Sequence, residues 1–395
     1  MSELGLYLNN TYFYKVLETR PPKSKTAPGQ RFIHQELFPW HDFGERDILM
    51  DRAKANNQLA TPYGPEGQPT APPKESGERQ LVTLLDWKAF DFVNPGVVQQ
   101  DRALGEIAVS GNLKTASMFQ RKVRDAVSNM ILKNADRLDN SLELVAIGAL
   151  KNSFVWPPTD DDGSTISSPP SYWATNIGET NWTFGLAANL NQDLNSLTNW
   201  EGDAATTDQK KYWSDIASDI IGSLNVMDQI CRQLHGFSIR GGTILCRSTL
   251  LDYIIKNTAI LNLLRGTTFE QQGARDFITI PQLESYFVDG LGYTFASYDT
   301  FWTYETGLSK SADHSSTIVH YLKENEIIIL PPGNLGGNAM MGTCSIEHQD
   351  ESWRPGIMPW MLRDPRPPFT REAGVHTVAW PVFEHLTWCR LQVLS

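Results

Sequence analysis

Eight histidines, four cysteines and a few acidic clusters are the residues of this chain that could do chemistry, and their spacing argues against most of it. His34 and His41 flank Trp40 in an aromatic, proline-containing stretch. A metal or acid–base site there would need thiols or carboxylates converging from elsewhere, whereas packed or surface imidazoles need nothing more. His314, within Lys310-Ser311-Ala312-Asp313-His314-Ser315-Ser316, reads as a loop tip. The run Asp160-Asp161-Asp162-Gly163 has the carboxylates of a calcium loop but lacks its alternating spacing and its terminal Glu, so a turn is expected. Pro332-Gly333-Asn334-Leu335-Gly336-Gly337-Asn338 follows an apolar run as a phosphate loop would. It lacks the Lys and Ser/Thr of such a loop, and no helix pattern follows, so it reads as a strand-to-strand connection. The pairs Glu324/Glu326 and Asp350/Glu351 lie in polar stretches and read as solvated surface. Cys231, Cys246, Cys344 and Cys389 are scattered without a C-x-x-C and read as buried reduced thiols. No serine-hydrolase elbow, P-loop or zinc-protease motif is present, so no catalytic residue, cofactor or metal is assigned. A hydrolase built from dispersed His and carboxylates stays open as an alternative.

The bulk properties leave room for a large structural role. A chain of 395 residues with 41% hydrophobic and 20% charged residues can bury sizeable cores in two or three domains. Its formal net charge of −11, without a Lys/Arg run, argues against affinity gained by neutralising phosphates. An acidic wall can still enclose nucleic acid, which it repels and lets pack freely. No apolar run is long enough to span a membrane, and Met1-Ser2-Glu3-Leu4-Gly5 lacks signal-peptide features, so a soluble intracellular product is expected.

Of the elements that must carry these residues, the first, residues 1–46, shows little periodicity. Arg20-Pro21-Pro22-Lys23 through Pro28-Gly29 reads as an extended arm in need of a receiver. Two extended runs, 47–51 and 80–90, flank a loop in which Pro62, Pro65, Pro69, Pro72 and Pro73 alternate with Gly64, Gly67 and Gly77. A structureless stretch of that length suggests either a floppy surface loop or a two-stranded loop reaching over a neighbour. From about 113 to 150, apolar residues recur every three or four positions, with a break near Asn134, predicting one long helix. A coiled coil is the rival, but the pattern drifts from a strict heptad repeat, and a spine lying across a sheet fits better. A second helix is expected over 208–234 with an apolar face of Trp213, Ile216, Ile220, Leu224, Met227 and Cys231, ended by Gly236. Residues 242–246 read as a buried strand, followed by a helix capped by Ser248 and ending near Asn257. Strands are expected within 290–304, 317–322 and 326–330, and a last one with Cys389, Leu391 and Val393 on one face and Trp388, Arg390 and Gln392 on the other.

This order of segments resembles the lambda-type major head protein, the capsid protein E family of tailed phages, over roughly residues 30–395. Leu37-Phe38-Pro39-Trp40 and Arg46-Asp47-Ile48-Leu49-Met50-Asp51 resemble the family's entry into its extended loop, with Leu59-Ala60-Thr61-Pro62 following. Phe90-Asp91-Phe92-Val93-Asn94-Pro95 leads to the long helix, and Leu150-Lys151-Asn152-Ser153 leaves it. Trp213 to Ile220, the 243–257 segment, Glu326 to Pro331 and Gly342-Thr343-Cys344 resemble the axial domain, and Pro365 to Val393 the return to the peripheral one. Residues 258–292 and 306–316 are longer than the family's minimal core.

The resemblance implies an α+β fold of the Hong Kong 97 type: an N-terminal arm (1–46), an extended two-stranded loop (47–100), a peripheral domain with the spine helix (101–195), a mixed α/β axial domain (196–350) and a return to the peripheral domain (351–395). It implies a non-enzymatic major capsid protein that self-assembles as hexamers and pentamers into an icosahedral head around double-stranded DNA. Its partners would be a portal protein, a separate scaffolding protein and, where present, a decoration or cement protein. DNA would be enclosed without sequence-specific binding, membranes would play no part, and the chain would reside in the virion capsid after assembly in the host cytoplasm. A cellular nanocompartment shell of the same fold is the alternative use. Residues expected at contacts between subunits are Phe38, Trp40, Pro62, Tyr63, Leu84, Leu85, Trp87 and Phe90.

Overall fold

A 37-residue helix, Lys114–Leu150, organises the molecule, as its proline-free periodicity predicts. At 1.5 Å per residue it is about 55 Å long. Val127, Ile131, Leu138, Leu142, Val145 and Ala149 form its buried stripe. The break at Asn134 has a physical reason: the side chain is fully buried on that stripe, where Nδ2 donates to the Ala373 carbonyl at 3.3 Å and Oδ1 accepts from Arg137 at 3.0 Å. Asn152, in the left-handed conformation with φ 61°, stops the helix, and the Ser153 N–H returns to the Gly148 carbonyl at 2.9 Å. The Trp388 indole satisfies the last carbonyl, donating to Leu150 at 2.8 Å.

The structure, a computed structural model, describes residues 10–18, 20, 32–52, 78–93, 114–159, 181–197, 212–262, 280–305, 316–333, 335, 338–347, 353–363 and 371–395. The Pro/Gly stretches at 21–29 and 62–77, the acidic run 160–163 and His314 lie outside them. The helices are α1 (Asn10–Glu18), α2 (Ile33–Leu37), α3 (Lys114–Leu150), α4 (Ile220–His235), α5 (Ser248–Lys256) and α6 (Ile280–Tyr286). The first strands are β1 (Trp40–Asp42), β2 (Asp47–Arg52), β3 (Glu78–Thr83), β4 (Leu85–Val93), β5 (Phe154–Val155), β6 (Asn181–Trp182) and β7 (Asn191–Asp193). After them come β8 (Thr243–Cys246), β9 (Thr294–Ser297), β10 (Phe301–Glu305), β11 (Ser316–His320), β12 (Glu326–Leu330) and β13 (Ala339–Thr343). The last are β14 (Ile346–Glu347), β15 (Trp353–Arg354), β16 (Met358–Arg363), β17 (Arg371–Phe383) and β18 (Cys389–Gln392).

Two five-stranded sheets carry the α+β architecture. In the first, β17 pairs antiparallel with β4, β16 and β13, and β1 joins β13 in parallel. Helix α3 packs on this sheet. The second runs β7-β18-β12-β8-β9, mixing parallel and antiparallel pairs, and β12 is buried along its whole length. The sheets exchange strands across the boundaries expected at 195 and 350: β7 belongs to the second sheet, β13 to the first, and β18 returns to the second.

Several local expectations are revised. The run 80–90 is two strands: β3 pairs with β2, the chain turns at the buried Leu84, and β4 enters the first sheet. The arm carries two helices, and both α1 and α2 pack on α3. Helix α4 begins at Ile220, not 208, because the Asp219 carboxylate accepts from the Gly222 N–H at 2.8 Å and caps it there. Trp213 lies in the preceding turns, buried, while Ile216 is exposed. Gly236 ends α4 with φ 74°, as expected. Ser248 is the first residue of α5 and not its cap; its N–H is satisfied from another element, by Asp299 Oδ1 at 3.0 Å. Trp388, expected on the polar face of the last strand, is fully buried because its indole reaches the end of α3.

Candidate interaction surface

The β2–β3 hairpin is apolar on both faces. Its register sets Ile48 opposite Val82 and Leu49 opposite Leu81. Side chains alternate across a strand, so the first pair faces the core and is buried, while the second points outward at 60% and 64% exposure. Polar contacts pin the base of the hairpin. Leu84 N–H donates to the Arg46 carbonyl at 2.9 Å, Arg46 Nε to the Leu84 carbonyl at 3.1 Å, and the Arg46 guanidinium meets Asp86 at 2.6 Å. His376 also reaches Asp86, at 3.2 Å; its burial lowers the imidazole below its ordinary value against the raising effect of that hydrogen bond.

A second apolar patch lies on the first sheet. Strand β4 turns Trp87, Ala89 and Asp91 toward α3, where Arg137 meets Asp91 at 2.8 Å, and so turns Phe90 and Phe92 to the opposite face. There the register sets Phe90, Gly374 and Trp360 in one row, and Phe92, Glu372 and Leu362 in the next. Phe90 and Phe92 are 45% and 66% exposed, and Leu362 is exposed beside them. Gly374 makes this row possible, since a Cβ there would stand 2.3 Å from the Ala89 carbonyl oxygen and 2.7 Å from the Phe90 Cβ. Across the glycine the Phe90 and Trp360 rings come to 5.9 Å, and Phe90 meets Phe92 edge-on at 5.8 Å.

Of the eight residues expected at contacts, Leu84 and Phe38 are fully buried within the chain and offer a neighbour no surface. Both belong to the core, and Phe38 packs edge-on against Phe383. Leu85 and Trp87 are half-buried; the Trp87 indole donates to the Ala379 carbonyl at 2.9 Å and lies edge-on to Phe154 and Trp156. Phe90 and Trp40 are exposed, while Pro62 and Tyr63 lie outside the described residues. Leu49, Leu81, Phe92 and Leu362, which the sequence did not single out, are exposed, and Trp360 is half-buried beside them. The signal for the first two was present: consecutive apolar residues at 48–49 and 81–82 put one of each pair on each face.

Buried polar contacts hold the elements around these surfaces. Glu143 on α3 is fully buried and accepts the Ile33 and His34 N–H groups at 2.8 and 2.9 Å, docking α2. His34 Nδ1 lies 2.6 Å from the same carboxylate, and the Tyr298 hydroxyl donates to it from beyond β9. Burial pushes the Tyr298 phenol well above its ordinary value, and Glu143 adds to the effect. Arg20 pairs with Asp139 and Asp136 on α3. Glu326, expected on a solvated surface, is buried between Arg390 at 2.7 Å and Lys151 at 3.3 Å. All four cysteines are buried and free, and burial drives the Cys246 thiol up to about 12. Among the described residues no His/Cys/Asp/Glu group could hold a metal ion, and no helix is long and apolar enough to cross a membrane.

No family model and no curated protein matches the sequence. Among solved structures, the chain matches a protein assigned as the capsid protein of a prophage (E. coli CFT073) at 10% identity and TM-score 0.53, covering 98% of this chain and 99% of that one. A phage-related protein from Bordetella bronchiseptica RB50 matches at 9% identity and TM-score 0.40, over 97% and 96% of the two chains. The capsid of Myoviridae phage XM1 matches at 10% identity and TM-score 0.39, over 93% and 94%. The described residues share the mixed α+β fold of that prophage protein.

Proposed function

We propose that this chain is a major capsid protein of the Hong Kong 97 type, a subunit that self-assembles into the icosahedral head shell of a tailed phage. The observation that carries the proposal is the pair of outward apolar surfaces, Leu49 with Leu81 on the hairpin and Phe90, Phe92, Trp360 and Leu362 on the first sheet. Contiguous exposed apolar surface is costly on a lone subunit and marks a place for a partner. The two surfaces suit each other: a hairpin with an exposed apolar pair, and an aromatic sheet face able to receive it from a neighbouring copy. At about 25 cal/mol per Å² each contact is modest, but repetition around every subunit sums to a stable shell. The shared fold with a protein assigned to a prophage capsid supports the same reading.

In this reading the arm, the 47–100 loop, a peripheral domain around α3 and an axial domain around α4 and α5 are the working parts, and no catalytic role is required. The partners are further copies in hexamers and pentamers, a portal protein, a separate scaffolding protein and a decoration protein where the head carries one. The net charge of −11 suits a wall that encloses DNA without gripping it.

Deletion of residues 62–77 tests the proposal. The intact protein should sediment as particles far larger than any single ring, and the deleted protein as folded subunits or small oligomers with an unchanged circular dichroism spectrum. Shells of normal yield after the deletion would show that the loop tip is not needed for assembly, and an intact protein that never assembles would overturn the capsid reading itself.

A further inference from the structure

Where α3 ends against the second sheet, a cavity of about 300 Å³ lies between Lys151, Lys323, Arg390, Glu326, His320 and Asn191. Its charges do not balance. Among the described residues that line it, three cations face one carboxylate, a sum of +2 in a chain whose net charge is −11. Glu326 is already shared: Oε1 accepts from Arg390 at 2.7 Å, and Oε2 lies 3.3 Å from Lys151 Nζ. Asn191 Oδ1 takes the other Arg390 terminal nitrogen at 2.7 Å. Arg390 Nε and Glu326 Oε2 are both buried without a hydrogen-bond partner, and among the described residues Lys323 has no carboxylate within ion-pair distance. His320 Nε2, on the cavity wall, lies 3.4 Å from an Arg247 terminal nitrogen.

We propose that this cavity is an anion site that takes a phosphate group, held by Lys323, Lys151 and the Arg390 guanidinium. Both terminal nitrogens of Arg390 already serve Asn191 and Glu326, so its guanidinium contributes charge and its remaining N–H donors, and the lysines add point charges. The volume lies at the small end of ligand sites and suits a compact ligand. The state of Lys151 agrees: burial lowers its ammonium below the ordinary value, Glu326 opposes this, and Arg390 and Lys323 add to the lowering, so a bound anion would relieve it. The site is independent of shell formation, and its failure would leave the capsid reading untouched.

The phosphate could be free or belong to a nucleic-acid backbone, and one experiment separates these. The full chain is titrated calorimetrically with inorganic phosphate at constant ionic strength, with sodium chloride as the blank. Saturable binding is expected for the intact protein, with about tenfold weaker binding for Lys323→Ala and near-normal binding for Lys323→Arg, in line with loss and restoration of a charge-assisted hydrogen bond. Lys323 is half-buried at the cavity wall, and circular dichroism checks that the Ala variant keeps its fold. Displacement of phosphate by a short DNA duplex would identify a backbone phosphate as the ligand, and lack of displacement a free one. No heat beyond the chloride blank, or equal affinity for Lys323→Ala and the intact protein, would overturn the proposal.

Discussion

Glu326 shows how much a single side chain can hide from sequence. Burial alone would raise its carboxyl, but Lys151 and Arg390 together bring it below the ordinary value of 4.5. A carboxyl depressed by folding stabilises the native state fully above its unfolded value, and that stability drains away as the pH falls through 4.5 toward the folded value. The urea midpoint of the intact protein should therefore exceed that of Glu326→Gln at about pH 6, and the gap should close toward about pH 3. A gap independent of pH would contradict the ion-pair account. Glu143 works chiefly through hydrogen bonds: it collects two backbone N–H groups, His34 and the Tyr298 hydroxyl. Glu143→Ala strands those donors and should cost roughly 3 kcal/mol in equilibrium unfolding. None of this was legible beforehand. Glu143 and Tyr298 are 155 positions apart, and Glu326 meets Arg390 across 64; partners at such separations leave no periodic trace.

At the scale of elements, local periodicity carried the reading as far as periodicity goes. The spine helix and the buried strand β12 followed from spacing, since both bury continuous apolar rows. The start of α4 and the cap of α5 did not, because Asp219 and Asp299 decide them through contacts that spacing does not encode. The hairpin was half legible: its strands were expected, but not which face each residue takes. Its outward pair gives a clear test. Leu49→Asp with Leu81→Asp replaces exposed side chains outside the core, so thermal stability should change by less than about 1 kcal/mol. The same double substitution places charges on the outer face and should abolish assembly in a sedimentation assay. Wild-type particle yield from the double variant would show that this face meets no neighbour.

For the whole molecule, the described residues form two five-stranded sheets and a spine helix, with apolar side chains left on two outward faces. Its first sheet is covered by α3 on one side and carries Phe90, Phe92, Trp360 and Leu362 on the other. Composition alone argued against phosphate-neutralising and membrane-spanning roles without reaching assembly; the mixed α+β class was legible in the order of segments, while the outward apolar pairs became visible only with the strand register. Electron microscopy of the purified native protein tests the central claim most directly. Closed particles tens of nanometres wide, or rings of five and six subunits, are the predicted result. A small monodisperse monomer under every scaffold and salt condition would contradict it.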